Sequence, residues 1–238
     1  PSSLVGMVLL SHERRALPRA RLKSLIGFIT TLALHRNARL STSISNALSR
    51  NTARIEKKAR EGLSQAFVAR GEALRFLIDE SLNLLKKLVD RVERSGQTLY
   101  VVTEKHRIEL DYYRNSILGV FAPEAIMCSV VASHRRGVSR AEFLKKARWL
   151  SELLKLEFIY RNDAPFEEIV NDLLERLKLV GVIVEEQDLL YIGLQEEAML
   201  LSSSLRHFLE CYWVAAHTLK STFERPIEGK EWVKSAVE

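Results

Sequence analysis

Twice in this chain, a stripe of apolar residues at helical spacing stops at a glycine and gives way to a short run of β-formers. The first stripe comprises Leu74, Leu77, Ile78, Leu82, Leu85, Leu88, Val89 and Val92; Ser95-Gly96 ends it, and residues 98–102 (TLYVV) read as a strand. The second comprises Phe166, Ile169, Val170, Leu173, Leu174 and Leu177, with Asp163 as N-cap, Pro165 in the first turn and Gly181 as the stop. Residues 182–192 (VIVEEQDLLYI) then read as a hairpin turning at 186–188. Spacings of three and four put each stripe on one helix face, which must be buried against another element. The chain is therefore expected to be mainly α with small β-hairpins (α+β), with helix-and-hairpin units of winged-helix form.

Other segments fill in this plan. Leu22, Leu25, Ile26 and Ile29 predict a helix after Pro18, and a helix is expected over 195–219. Between 41 and 58 little apolar periodicity survives, so the stretch is either a loop or a well-solvated helix, and the weakest boundary falls there. Thr103 is the expected N-cap of a further helix. The apolar run 116–133 (SILGVFAPEAIMCSVVAS) is interrupted by Pro123 and Glu124. It reads as a core helix-turn-helix rather than a membrane span, which needs about 18–20 uninterrupted apolar residues. A first helical part, 1–133, and a second, 134–238, would meet near 134–141 (HRRGVSRA) within one compact body.

With 238 residues, 47% of them hydrophobic, the chain can bury a substantial core. Cys128 and Cys211 lie in apolar stretches with no metal-ligand or disulfide spacing, and are expected to be buried thiols in a reducing compartment. Residues 1–100 hold 18 Lys+Arg against 8 Asp+Glu, whereas the remainder hold 18 against 22. A basic half suits an anionic partner such as membrane headgroups, nucleic acid or a phosphate-bearing substrate. The chain starts at Pro1 and stops inside a charged run, 228–238, and so reads as a segment of a larger cytosol-facing protein.

Catalytic motifs are sparse. His106 and Asp111 have the His-x-x-x-x-Asp spacing used by acyltransferases, where the His is a general base and the Asp orients it. Inside a helix, residues five apart are about 140° out of phase, so the two would not face each other. No nucleophile elbow or Gly-rich phosphate loop occurs. The pairs Glu167–Glu168 and Glu196–Glu197 fall at helix starts, where they complement the helix dipole.

The most distinctive local sequence is 110–121, LDYYRNSILGVF, which sets aromatic bulk, a permanently charged Arg114 and an amide before an apolar helix. On a helix, Tyr113 and Ile117 would pack inward and Arg114 would pair with a carboxylate. With the following Ala122-Pro123-Glu124-Ala125-Ile126, it resembles the Leu-x-Tyr-Tyr-x-Asn-x-Ile-x-x-x-Phe signature of glycerol-3-phosphate acyltransferases of the large bacterial and mitochondrial type. The residues that carry the resemblance are Leu110, Tyr112, Tyr113, Asn115, Ile117 and Phe121, with Arg114 among them. Residues 3–41 and 143–219 are similar to the flanking parts of that family's C-terminal region.

The resemblance implies a fold and role for the chain as the non-catalytic C-terminal region of such an enzyme. The family acylates the 1-hydroxyl of glycerol 3-phosphate from acyl-CoA or acyl carrier protein, at the cytoplasmic face of a membrane. Its catalytic blocks lie upstream and none aligns here, so no catalytic residue, cofactor or metal is carried over. The expected partners are the upstream catalytic domain and a membrane surface, not nucleic acid. The seven residues at 110–121 are expected to be structural or docking elements. The alternatives are a tandem winged-helix module that binds nucleic acid and a helical scaffold for a partner protein.

Overall fold

The computed structural model describes residues 1–12, 16–222 and 230. Its contacts divide the chain into two units, residues 1–204 and 205–238. The first unit runs α1 (Ser2–Ser11), β1 (Ala16–Pro18), α2 (Arg19–His35), α3 (Thr42–Ser49), α4 (Thr52–Ala59), α5 (Leu63–Ala73), α6 (Arg75–Leu84), β2 (Asp90–Arg94) and β3 (Gln97–Val101). It continues with α7 (Glu104–Ala132), β4 (Val138–Ser139), α8 (Arg140–Leu153), α9 (Phe166–Leu179), β5 (Ile183–Glu186), β6 (Leu189–Ile192) and α10 (Gln195–Ser204). The second unit contributes α11 (Arg206–Thr222). The fold class is the expected one: mainly α, with two small antiparallel sheets. Apart from Lys230, the charged run 228–238 lies outside the described residues.

Helix α7 is the centre of the first unit, packed by α1 and α10 and touched by α8, α9 and β6. Contrary to the expected helix-turn-helix, it runs unbroken through Pro123. Proline removes one backbone hydrogen bond and crowds the carbonyl four residues earlier. Two features offset this: Phe121, Ala122, Ala125 and Ile126 are locked in the core, and the Arg36 guanidinium donates to the Val120 carbonyl beside the loosened turn. Among the described residues, α7 is also the one helix long and apolar enough to cross a membrane, but 56% of its apolar window is buried inside the protein. A core helix passes the same test.

The α2–α5 crossing is held by a pair of facing glycines. A Cβ on Gly27 would lie 1.9 Å from the Phe67 carbonyl oxygen, and one on Gly71 would lie 2.0 Å from that of Lys23. The backbones can therefore touch, and Phe28 and Phe67 meet edge-to-face with centroids 5.3 Å apart. The polar stretch at 41–58 is two short solvated helices, capped by Ser41 Oγ accepting from the Ile44 amide (3.4 Å). Ile44, Leu48 and Ile55 are its buried residues.

Both sheets are a two-residue hairpin flanked by a strand from far upstream, in the orders β1-β3-β2 and β4-β6-β5. Ser95-Gly96 is therefore a hairpin turn, with φ of 51° and 73°, and not the end of a helix. The expected stripe stops early at Leu84: Leu85 and Val89 still face the core, but Val92 lies in β2 opposite Leu99. The hairpin expected over 182–192 is present, turning through Gln187 and Asp188 at φ 49° and 61°. Gly181 (φ 72°) stops α9 in a Schellman arrangement, its amide donating to the Lys178 carbonyl and that of Val182 to Leu177. The N-cap of α9 is Pro165, while Asp163 instead accepts from Arg161 at 2.8 and 2.9 Å.

The sequence β4-α8-α9-β5-β6, with the lone strand on the outer side of β6, has the winged-helix form. Its second helix exposes Glu167, Glu168, Asp172 and Glu175, a face that repels nucleic-acid phosphate. The helix expected over 195–219 is two: the Ser204 hydroxyl donates to the Leu201 carbonyl (2.6 Å), the acceptor the next helical amide would use. In α11, Trp213 and His217 stack with centroids 5.4 Å apart. Cys128 is buried as expected, but Cys211 is exposed.

Candidate functional site

The residues singled out at 110–121 all lie on α7, and the helix period sorts them onto two faces. Leu110, Arg114 and Phe121 point inward and are buried, together with Leu118. Tyr113 and Ile117 are half-buried. Tyr113 backs onto α1, where a Cβ on Gly6 would meet the Tyr113 Cβ at 3.0 Å. Tyr112 is 77% exposed and Asn115 is exposed. The signature does not converge on one pocket: part of it builds the core and part faces outward.

The inward face carries an unusual charge. Arg114 is only 5% exposed, with Nη2 at 3.1 Å from Asp111 Oδ1 and Nε donating to Asn115 Oδ1 at 3.2 Å. Nη2 makes no aligned hydrogen bond among the described residues. Burial pulls the guanidinium below its ordinary range, and the Asp111 charge opposes that shift. Asp111 is thus occupied by Arg114, while His106 Nδ1 lies 3.1 Å from Glu109 Oε2. The His-x-x-x-x-Asp pair is split between two partners, as its helical phase required.

A second buried charge lies further along α7. Glu124 is fully buried, and its Oε2 accepts from Arg36 Nη1 at 2.8 Å. Its Oε1 finds no hydrogen-bond partner among the described residues. Desolvation holds the carboxyl above its ordinary value of 4.5, with Arg36 pulling the other way. Sequence reasoning treated Glu124 only as an interruption. A lone carboxylate beside a proline in an apolar run signals a buried cationic partner, but only the fold identifies Arg36.

The outward face was also missed in part. Ile108 (81% exposed), Tyr112, Asn115 and Gly119 recur at steps of four, three and four, with Val120 beside them. Tyr112 and Tyr113 are edge-to-face at 5.7 Å. A Cβ on Gly119 would meet nothing within 4 Å. A glycine inside a helix costs roughly 0.5–1 kcal/mol relative to alanine, and packing among the described residues gives no reason for it.

Residues 56–238 match the model of the family described as "Glycerol-3-phosphate acyltransferase C-terminal region", and the chain belongs to that family. The relatives it resembles carry the corresponding name. It is 29% identical over 189 residues to the glycerol-3-phosphate acyltransferase of Pseudomonas paraeruginosa, covering 79% of this chain and 19% of that protein. It is 30% identical over 161 residues to that of one Pseudomonas aeruginosa strain (68% of this chain, 16% of the relative). With that of Pseudoalteromonas atlantica it shares 30% identity over 115 residues (48% and 14%). The chain spans about a fifth of the length of the first of these relatives.

Proposed function

We propose that the chain serves as the non-catalytic C-terminal region of a glycerol-3-phosphate 1-O-acyltransferase. In this reading the whole protein transfers an acyl group from acyl-CoA or acyl carrier protein to glycerol 3-phosphate, the first step of phospholipid synthesis. The observation that carries it is the family match over residues 56–238. The split His106–Asp111 pair supports a non-catalytic role. The enzyme would work at the cytoplasmic face of the membrane, and the basic first hundred residues and the exposed Trp213 of α11 support a peripheral contact there.

The outer face of α7 is the docking site for the catalytic domain in this reading. The relatives are about five times longer than the matched region, so a large body of chain is available to cover it. Ile108 and Tyr112 offer exposed apolar area, and the bare backbone at Gly119 lets another segment approach closely. The test compares glycerol-3-phosphate acyltransferase activity of the full-length protein with that of this chain alone. Activity confined to the longer protein, and reduced at least tenfold by Tyr112→Ala or Gly119→Leu without loss of folding, is the expected result. Activity in this chain alone, or full-length variants indistinguishable from wild type, would refute it.

A further inference from the structure

Helices α3 and α4 have two unlike faces. Opposite the buried Ile44, Leu48 and Ile55, the residues Ser43, Asn46, Arg50 and Arg54 recur at steps of three and four and line a cavity of about 510 Å³. The facing wall is the α5–α6 junction, from which Arg75 and Phe76 reach the same space. Three guanidinium groups thus open on one cavity. Among the described residues none of the three forms an ion pair, whereas Arg19, Arg21, Arg36 and Arg148 of the same unit all do. The carboxylate at the cavity, Glu72, is bonded to Lys23.

Arg50 caps the C-terminus of α3 and Arg54 lies in the first turn of α4, where the positive end of the helix dipole makes a guanidinium unfavourable, a cost that no carboxylate of the described residues offsets. An oxyanion between them and Arg75 would offset it, because the guanidinium fork matches phosphate oxygens bidentately. Asn46 and Ser43 add neutral donors. The apolar wall is equally specific: Phe76 is 71% exposed, with the Arg75 guanidinium 4.6 Å from its ring centroid. A cavity of this volume fits a small ligand.

We propose that this groove binds a phosphate group joined to an apolar moiety, with the three arginines on the oxyanion and Phe76 against the apolar part. The phosphate belongs either to an anionic lipid headgroup or to a soluble organic phosphate, and the recognition chemistry is shared. The proposal does not depend on the acyltransferase reading.

Phenyl phosphate binding to the 238-residue chain is measured by calorimetry. Flotation is measured on vesicles of phosphatidylglycerol and phosphatidylcholine. Each assay compares wild type, Arg50→Gln/Arg54→Gln, the single variant Arg75→Gln, and a control pair, Arg39→Gln/Arg60→Gln, that removes the same charge from exposed positions outside the cavity. Circular dichroism and the thermal midpoint verify folding, and Arg75→Gln stands in if the pair does not fold. Expected is a loss of at least about tenfold in the groove variants and less than about twofold in the control. Loss of phenyl phosphate binding assigns a soluble phosphate; loss confined to flotation assigns a lipid headgroup. Equal losses in groove and control variants, or binding of neither probe, would overturn the site.

Discussion

Replacing Gly71 by alanine sets two effects against each other, and the structure says which wins. In an exposed helix the change would be favourable by roughly 0.5–1 kcal/mol, because alanine restricts the unfolded chain. Here the new methyl carbon would stand 2.0 Å from the Lys23 carbonyl oxygen and 2.5 Å from its carbon, both backbone atoms of α2. No rotamer change relieves a clash with backbone, so α2 and α5 must separate by about 1 Å. A gap of that size forfeits a quarter to a half of the dispersion energy of the atoms across it, including the Phe28–Phe67 contact. Overpacking of this kind costs about 1–3 kcal/mol. Net of propensity, Gly71→Ala is expected to destabilise by about 1 kcal/mol, lowering the thermal midpoint by roughly 2–4 °C. Urea unfolding followed by circular dichroism reads the same quantity independently. The natural control is Gly119→Ala, where nothing stands within 4 Å and a gain of about 0.5–1 kcal/mol is expected. A Gly71→Ala protein as stable as wild type would refute the close crossing.

Three further outcomes are expected. Gly27→Ala should resemble Gly71→Ala, and the double variant should cost clearly less than the sum, since one separation relieves both clashes; additive unfolding free energies would contradict a shared crossing. Glu124 is held above its ordinary 4.5 in the fold, so its contribution to stability is complete below that pH and is lost as pH rises through the raised value. Unfolding midpoints between pH 4 and 8 should therefore shift in favour of Glu124→Gln relative to wild type as pH rises, and a pH-independent gap would count against this. Arg114→Ala should cost about 2–4 kcal/mol through lost packing and an unpaired Asp111, whereas Arg114→Leu with Asp111→Ala should be close to neutral, because the buried guanidinium is incompletely hydrogen-bonded. Chemical denaturation of the three proteins decides it.

Much of this fold can be read from residue spacing, and the misses share a cause. The stripes at 22–29 and 166–177 became α2 and α9 because their burial is one-sided and periodic. The 74–92 stripe was overextended because Leu85, Val89 and Val92 continue a helical pattern by coincidence, while Ser95-Gly96 serves equally as helix stop or hairpin turn. Pro123 misled because its neighbours in space, not in sequence, carry the helix through: Arg36 comes from the C-cap of α2. The aromatic and amide residues of 110–121 were visible at once as a distinctive segment. Their division into a core face and an outer face follows from the helix period, but Gly119 became informative only when the space around it could be seen to be empty.

The two small sheets also dictate an order of events. Each hairpin joins strands separated by two residues and can form locally within about 1–10 μs. Each is then completed by a strand from far upstream, Leu17 against Tyr100 and Val138 against Leu190. Closing loops of that length costs entropy that three or two ladder positions cannot repay alone, so those outer strands dock only once the intervening helices have condensed. The amides of residues 16–17 and 138–139 are therefore late arrivals in folding and early departures in unfolding. Their hydrogen-exchange rates would report whether the helices between them have assembled.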